Sequence, residues 1–264
     1  MKKIMTLAAI FAAVMMGISS CNPDDTKPEQ KPDTEQPGEE TPGEETPGEE
    51  TPGEEYVAPI TIDGNFDDWA ALDATKVAVA ENAGEMVGEP ALYVLKVYAD
   101  AEYLHLYFEF DEDIIADRAW VPFHIYLNTD GDTTTGGFGD QWSDACVDHM
   151  FEGACMAEDA FCSWDGSLNE WCGETNGTGW DGCWLSLLES VQATGAGAGN
   201  AYELKIPLNA EGGVGEEGLV LADTFGIGVD IQQDWNSVGI LPNAEQTEDD
   251  PTGLAPMLSV TVDR

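Results

Sequence analysis

Three hydrophobic regimes follow one another along this chain. Residues 4–18 form an apolar run, residues 22–55 contain no large apolar side chain, and short alternating segments begin near Tyr56. The alternation has a period of two, which puts successive side chains on opposite faces of a strand. It is clearest at residues 103–110. Leu104, Leu106, Phe108 and Phe110 share one face there, and Tyr103, His105, Tyr107 and Glu109 share the other. That pattern predicts His105 on a solvent-side face. Residues 91–98 read as the hairpin partner, across an Asp100-Ala101-Glu102 turn. Further strands are expected at 77–80, 121–127, 161–164, 183–192, 202–207, 225–231 and 258–262, with a Gly-rich loop at 173–182. Many short strands with turn signals between them, and no convincing amphipathic helix, predict an all-β sandwich.

The domain opens on Ile60-Thr61-Ile62-Asp63-Gly64-Asn65-Phe66-Asp67-Asp68-Trp69. The alternation of Ile60, Thr61 and Ile62 predicts a short strand. Asp63-Gly64 is a turn pair, because Gly takes positive φ and Asp accepts a local backbone hydrogen bond. Trp69 supplies an apolar anchor that would pin the turn to the domain.

The N-terminal regimes read as an address and a tether. Lys2 and Lys3 precede the apolar run, which is too short and wrongly flanked for a membrane-spanning helix and reads as a secretory signal. It ends Ile18-Ser19-Ser20-Cys21, which resembles a bacterial lipobox. The resemblance implies a signal peptide at 1–20, cleavage before Cys21 and lipidation there, with palmitate as an expected acyl chain, so that the membrane is reached through the lipid alone. Asn22-Pro23-Asp24-Asp25 is similar to the export signal of Bacteroidetes-type surface lipoproteins, which implies an outer-membrane location facing the exterior. Within 21–55, Pro37-Gly38-Glu39-Glu40-Thr41 repeats at 42–46 and 47–51. Such a segment cannot bury enough surface to offset its ordering entropy, and a disordered tether is expected. At about 3.1 Å per residue it would reach up to roughly 100 Å. Residues 56–264 are expected to form one domain.

Charge narrows the partners. The chain holds 52 acidic against 9 basic residues, a formal net charge of −43. The basic residues of the domain are Lys76, Lys96, Arg118, Lys205 and Arg264. Phosphate backbones need clustered Lys and Arg, so nucleic acid is excluded as a partner, and so is adhesion to anionic lipid. Neutral glycans and divalent cations remain compatible. Cys146, Cys155, Cys162, Cys172 and Cys183 sit in one segment without CxxC spacing, which argues against a metal–thiolate site. Disulfides are the default in an exported protein. Their connectivity stays open, and the odd number leaves one thiol over.

Spaced markers through the domain resemble the family-nine carbohydrate-binding modules and the related DOMON-type β-sandwiches. The first is I-x-I-D-G-x-x-D-D-W at 60–69. The second is the hairpin A-D-A-E-Y-L-H-L-Y-F-E-F-D-E-D at 99–113. A strand running into Asn128-Thr129-Asp130-Gly131-Asp132 and a Thr-Gly turn is the third. W-S-D-A-C-V-D-H-M-F-E-G at 142–153 and Y-E-L-K-I-P at 202–207 complete the set. The resemblance implies a jelly-roll or immunoglobulin-like sandwich that captures polysaccharide without catalysis. It implies Trp120 as one wall of a sugar clamp, with Trp235 as the late partner and Trp142 as a further aromatic candidate. Asn128, Asp130 and Asp132 offer oxygen ligands at alternate positions, which suits structural calcium, although the spacing is not an EF-hand and the same residues make a plain turn. No acidic pair stands out for acid–base work, and His105, His124 and His149 fall on expected strands away from any nucleophile. His149 and Met150 are adjacent, so they point to opposite faces and cannot both ligate one haem iron. Neither haem, nucleotide cofactor nor enzymatic activity is therefore expected. The alternative is a surface adhesion module that binds a protein through the same sandwich.

Overall fold

The structure is a computed structural model. It describes residues 56–84, 91–111, 120–144, 146–157, 160–178, 180, 182–233 and 236–264. The apolar run, Cys21 and the Pro-Gly-Glu repeats lie outside the described residues. One compact unit spans Glu55–Arg264.

The strands are β1 (Ala78–Glu81), β2 (Leu92–Ala99), β3 (Tyr103–Phe110), β4 (Trp120–Asn128), β5 (His149–Ala157), β6 (Ala160–Trp171), β7 (Trp184–Leu188), β8 (Thr194–Ala198), β9 (Ala201–Pro207), β10 (Thr224–Gln233), β11 (Asn236–Leu241) and β12 (Leu258–Thr261). They form two antiparallel sheets. The smaller runs β1-β2-β3-β9-β8, and the larger runs β11-β10-β4-β5-β6-β7 with β12 also pairing β10. The protein is an all-β sandwich, as the alternation predicts.

The hairpin β2–β3 is closed by Asp100, whose Oδ1 accepts the backbone N–H groups of Glu102 and Tyr103 at 2.8 Å each. The hairpin's inner face carries Leu95, Val97, Leu104, Leu106, Phe108 and Phe110. They pack on Phe123, Ile125, Leu127, Phe151, Ile227, Val229 and Ile231 of the larger sheet. Phe108 meets Phe123 edge to face, centroids 4.7 Å apart. All are nearly or fully buried, each contributing about 1.5–3 kcal/mol of apolar transfer.

The outer face of the smaller sheet is covered by the opening stretch. Ile60 and Trp69 are buried there with Tyr98, Tyr107 and Ala201. Glu203 on β9 ties the stretch down. Its Oε1 accepts the N–H groups of Asp63 (2.9 Å) and Gly64 (2.8 Å), and its Oε2 accepts the Trp69 indole N–H at 3.2 Å. Gly64 has φ +81°, the positive value the turn requires. Residues 60–62, expected as a strand, join neither sheet. Side chains satisfy the local backbone instead: the Asp68 carboxylate accepts the Thr61 N–H at 2.9 Å, and Glu203 takes the next donors. The stretch ends in one short helix, α1 (Asp67–Ala71), which buries Trp69.

His105 also departs from expectation. It is fully buried, with the rings of Tyr98 and Tyr103 5.7 and 5.8 Å away. Burial lowers its pKa to about 4; nearby Asp100 opposes the shift and Lys205 adds to it. Both ring nitrogens lack a hydrogen-bond partner.

Candidate functional site

The second covered face is the outer side of the larger sheet. Along β4, Phe123, Ile125 and Leu127 enter the core, so His124 and Tyr126 point outward. Strand register extends this row. Asp230 of β10 lies opposite His124, and His124 lies opposite Glu152 of β5. One register row therefore carries Asp230, His124 and Glu152 side by side.

An aromatic cover closes part of this face. Tyr126, Phe138, Trp142, Val147, Met150 and Met257 form a buried cluster, with Trp171 and Trp184 packed against it. Gly228 leaves room for it: a Cβ there would stand 2.4 Å from the Trp142 ring. The Trp142 indole N–H donates to the Pro242 carbonyl at 3.1 Å.

Where the cover stops, a cleft of about 470 Å³ opens, lined by His124, Phe138, Glu152, Trp180 and Gln232. Trp180 is 41% exposed and forms its aromatic wall. Its ring lies 5.5 Å from His124 and meets Phe138 edge to face at 5.4 Å.

The polar floor is held by hydrogen bonds. His124 Nε2 and Glu152 Oε2 are 3.0 Å apart. With the proton on Nε2 the imidazole donates to the carboxylate, which leaves Nδ1 as an acceptor. This Nδ1 is buried without a partner, as is the Tyr126 hydroxyl. The His124 hydrogen bond lowers the Glu152 pKa, against its partial burial. Asp230 is fully buried, and burial raises its carboxyl. Its Oδ2 accepts the amides of Gln232 (2.8 Å) and Gln141 (3.0 Å), and its Oδ1 accepts the Ser237 hydroxyl. Asp230 thus orients the Gln232 amide at the edge of the cleft.

The residues singled out in the sequence scatter around this cleft. Trp120 begins β4, in the strand that carries His124, with its backbone opposite Ala157. Its side chain, and the whole of Trp235, lie outside what the structure describes. Trp142 is fully buried, with its N–H already taken. It serves as a lid on the sheet and offers no ring to a ligand. Trp180 is the exposed tryptophan of the cleft. Sequence reasoning passed it over, because a Trp in a Gly-rich loop carries no periodicity.

Asn128 ends β4 and Asp130 and Asp132 sit in the turns that follow, where the Asn128 amide donates to the Asp132 carbonyl at 3.5 Å and its Oδ1 is buried without a partner. Asp130 Oδ1 accepts the Asp132 N–H at 2.7 Å and its Oδ2 accepts the Thr135 hydroxyl at 3.0 Å. Asp132 Oδ1 accepts the N–H and hydroxyl of Thr134 at 2.8 and 2.6 Å. These are turns that close on themselves. Among the described residues no three acidic, histidine or cysteine groups gather as a metal site. The expected disulfides are likewise not formed between Cys146, Cys155, Cys162, Cys172 and Cys183. Among the described residues no helix is long and apolar enough to cross a membrane.

The fold defines the class of protein, an all-β sandwich with an aromatic-walled cleft on one sheet. No family model matches the chain, and no curated protein matches its sequence.

Proposed function

We propose that the protein is a non-catalytic glycan-binding module, held at the outer face of an outer membrane by a lipid on Cys21. The observation that carries this reading is the cleft itself: the exposed Trp180 ring stands beside the polar groups of His124, Glu152 and Gln232. A sugar's C–H face packs on an aromatic face while fixed polar groups exchange hydrogen bonds with its hydroxyls. Glu152 accepts, and the Gln232 amide both donates and accepts. The acidic surface favours a neutral or basic polysaccharide over an anionic one. The markers that resemble family-nine carbohydrate-binding modules support the same reading.

The test is binding of the purified full chain to a broad glycan array, with calcium and with chelator. Saturable binding to a polysaccharide is expected, and the chelator arm reads whether calcium takes part. Trp180→Ala should weaken it at least tenfold while the protein stays folded, because the ring stands at the surface and outside the core between the sheets. A blank array from a folded protein would overturn the reading in favour of a protein partner at the cell surface.

A further inference from the structure

Two pairs of cysteines lie near the two ends of β6. At one end Trp171 pairs with Trp184, their rings edge to face at 5.2 Å. The next residues outward are Cys172 and Cys183, and the Cys172 N–H donates to the Cys183 carbonyl at 2.7 Å. Directly opposed residues of an antiparallel pair have Cα atoms about 4.5–5.5 Å apart. A disulfide spans about 4.4–6.8 Å between Cα atoms. At the other end Met156 pairs with Phe161 and Ala157 with Ala160, and the register then shifts between Ala154 and Met156, a bulge that sets Cys155 against the segment 162–164, which begins with Cys162. The Cys162 thiol is near enough to act electrostatically on that of Cys155. Cys146 stands apart from both pairs. It is buried, and its S–H donates to the Thr133 carbonyl at 2.8 Å.

We propose that the exported protein carries two hairpin disulfides, Cys172–Cys183 and Cys155–Cys162, with Cys146 left as a thiol, and that the first clamps the loop presenting Trp180. That loop lies between Cys172 and Cys183. It is docked on the aromatic cover through Asn176, whose N–H donates to the Gly136 carbonyl at 2.9 Å, and through the Gly177 carbonyl, which accepts the Phe138 N–H. A covalent tie at its base removes the open conformations that would carry Trp180 away from His124. The Cys172–Cys183 pairing rests on strand register and that of Cys155 with Cys162 on their nearness across the bulge, and neither depends on what the cleft binds.

Each bond forms by loss of two protons and two electrons from a pair of thiols. The acceptor is a disulfide, either of low molecular weight or on a thiol–disulfide oxidoreductase, and is reduced to two thiols by exchange through a mixed disulfide. Cys172 is exposed and reacts first. Cys155 is buried and its pKa is raised by burial, so little thiolate is present and its pair closes later.

The full chain, equilibrated in reduced and oxidised glutathione, is alkylated and digested without reductant, and the linked peptides are identified by mass spectrometry. Peptides joining Cys172 to Cys183 and Cys155 to Cys162 are expected, with Cys146 alkylated. Links that involve Cys146, links between the two pairs, or alkylation of all five thiols would overturn the pairing. The clamp is read by hydrogen exchange at residues 174–178. Exchange should quicken several-fold in dithiothreitol, and equally in a Cys172→Ser, Cys183→Ser variant without reductant. Unchanged exchange in that variant would refute the clamp even if the bond forms.

Discussion

Removing the Glu203 carboxylate would leave the N–H groups of Asp63, Gly64 and the Trp69 indole without their acceptor. Unmade bonds at a buried site cost far more than an average hydrogen bond contributes. Glu203→Ala is therefore expected to lower unfolding free energy by about 3 kcal/mol. Urea titration followed by tryptophan fluorescence would measure it. Glu203→Gln keeps one acceptor oxygen and should lose less; equal losses for the two variants would mean that packing rather than hydrogen bonding is at stake.

His105 sets a different residue-scale expectation. Its folded pKa of about 4 lies below the unfolded value of about 6.5. Between those values the unfolded chain takes up a proton that the folded chain refuses. The contribution is complete above about pH 6.5 and is lost as pH falls toward 4, amounting to about 3 kcal/mol. The groups facing the ring are Tyr98 on β2, Tyr103 on β3, Lys205 on β9 and Asp100 in the turn. Asp148 and Asp230 act in the opposite sense, because burial raises them and the folded chain protonates first. The difference between wild type and His105→Phe isolates the histidine. Between pH 7 and 4.5 the variant should lose less stability than wild type; parallel losses would exclude His105 as the source.

At the scale of elements, glycine decides how closely the cover approaches the sheet. Gly228 lies mid-strand in β10, directly under the Trp142 ring. Gly228→Ala is expected to push that ring outward and to cost about 2 kcal/mol by overpacking. Near-ultraviolet circular dichroism should change with it, since Trp142 lies among Tyr126, Phe138 and Trp184. A variant with native spectrum and stability would show that the cover shifts freely.

The same residue type explains which elements were legible in the sequence. The strand at 103–110 was read correctly because its apolar residues alternate without interruption, although the face assigned to solvent is covered and buries His105. The strand β8 has the sequence Thr-Gly-Ala-Gly-Ala and was not anticipated. A Cβ at Gly195 would fall 1.7 Å from the Tyr202 hydroxyl, and one at Gly197 would fall 2.4 Å from the Phe161 ring. Its glycines record close packing, yet in a sequence they read as a loop. Strand β11 was missed as well, since its residues are only partly buried and alternate weakly. The cleft was half legible. Strand 121–127 was expected, and it carries His124. The row with Asp230 and Glu152 depends on register between strands distant in sequence, which no local pattern encodes. Two of the markers, residues 60–69 and 202–207, prove to be one structural device, because Glu203 of the second receives the turn of the first.

The whole molecule is governed by its charge. With a formal net charge of −43, self-repulsion opposes compaction, and few basic groups are present to offset it. Lys76 pairs with Asp263 and Arg264 with Asp223, but both pairs sit at the surface, where such bridges contribute little. Screening should then stabilise the fold. The Debye length falls from about 30 Å at 0.01 M salt to about 3 Å at 1 M. Raising sodium chloride across that range is expected to raise the melting temperature by roughly 5 °C, which for a domain of this size corresponds to about 1–2 kcal/mol. A stability that rested on surface ion pairs would move the other way, because salt weakens those pairs. Calorimetry at both salt concentrations separates the cases: a rise identifies repulsion as the dominant long-range term, and a fall would assign that role to the bridges. The same repulsion opposes self-association of the chain, so a rise in melting temperature with salt should come with a greater tendency to associate, which light scattering at the two salt concentrations would read.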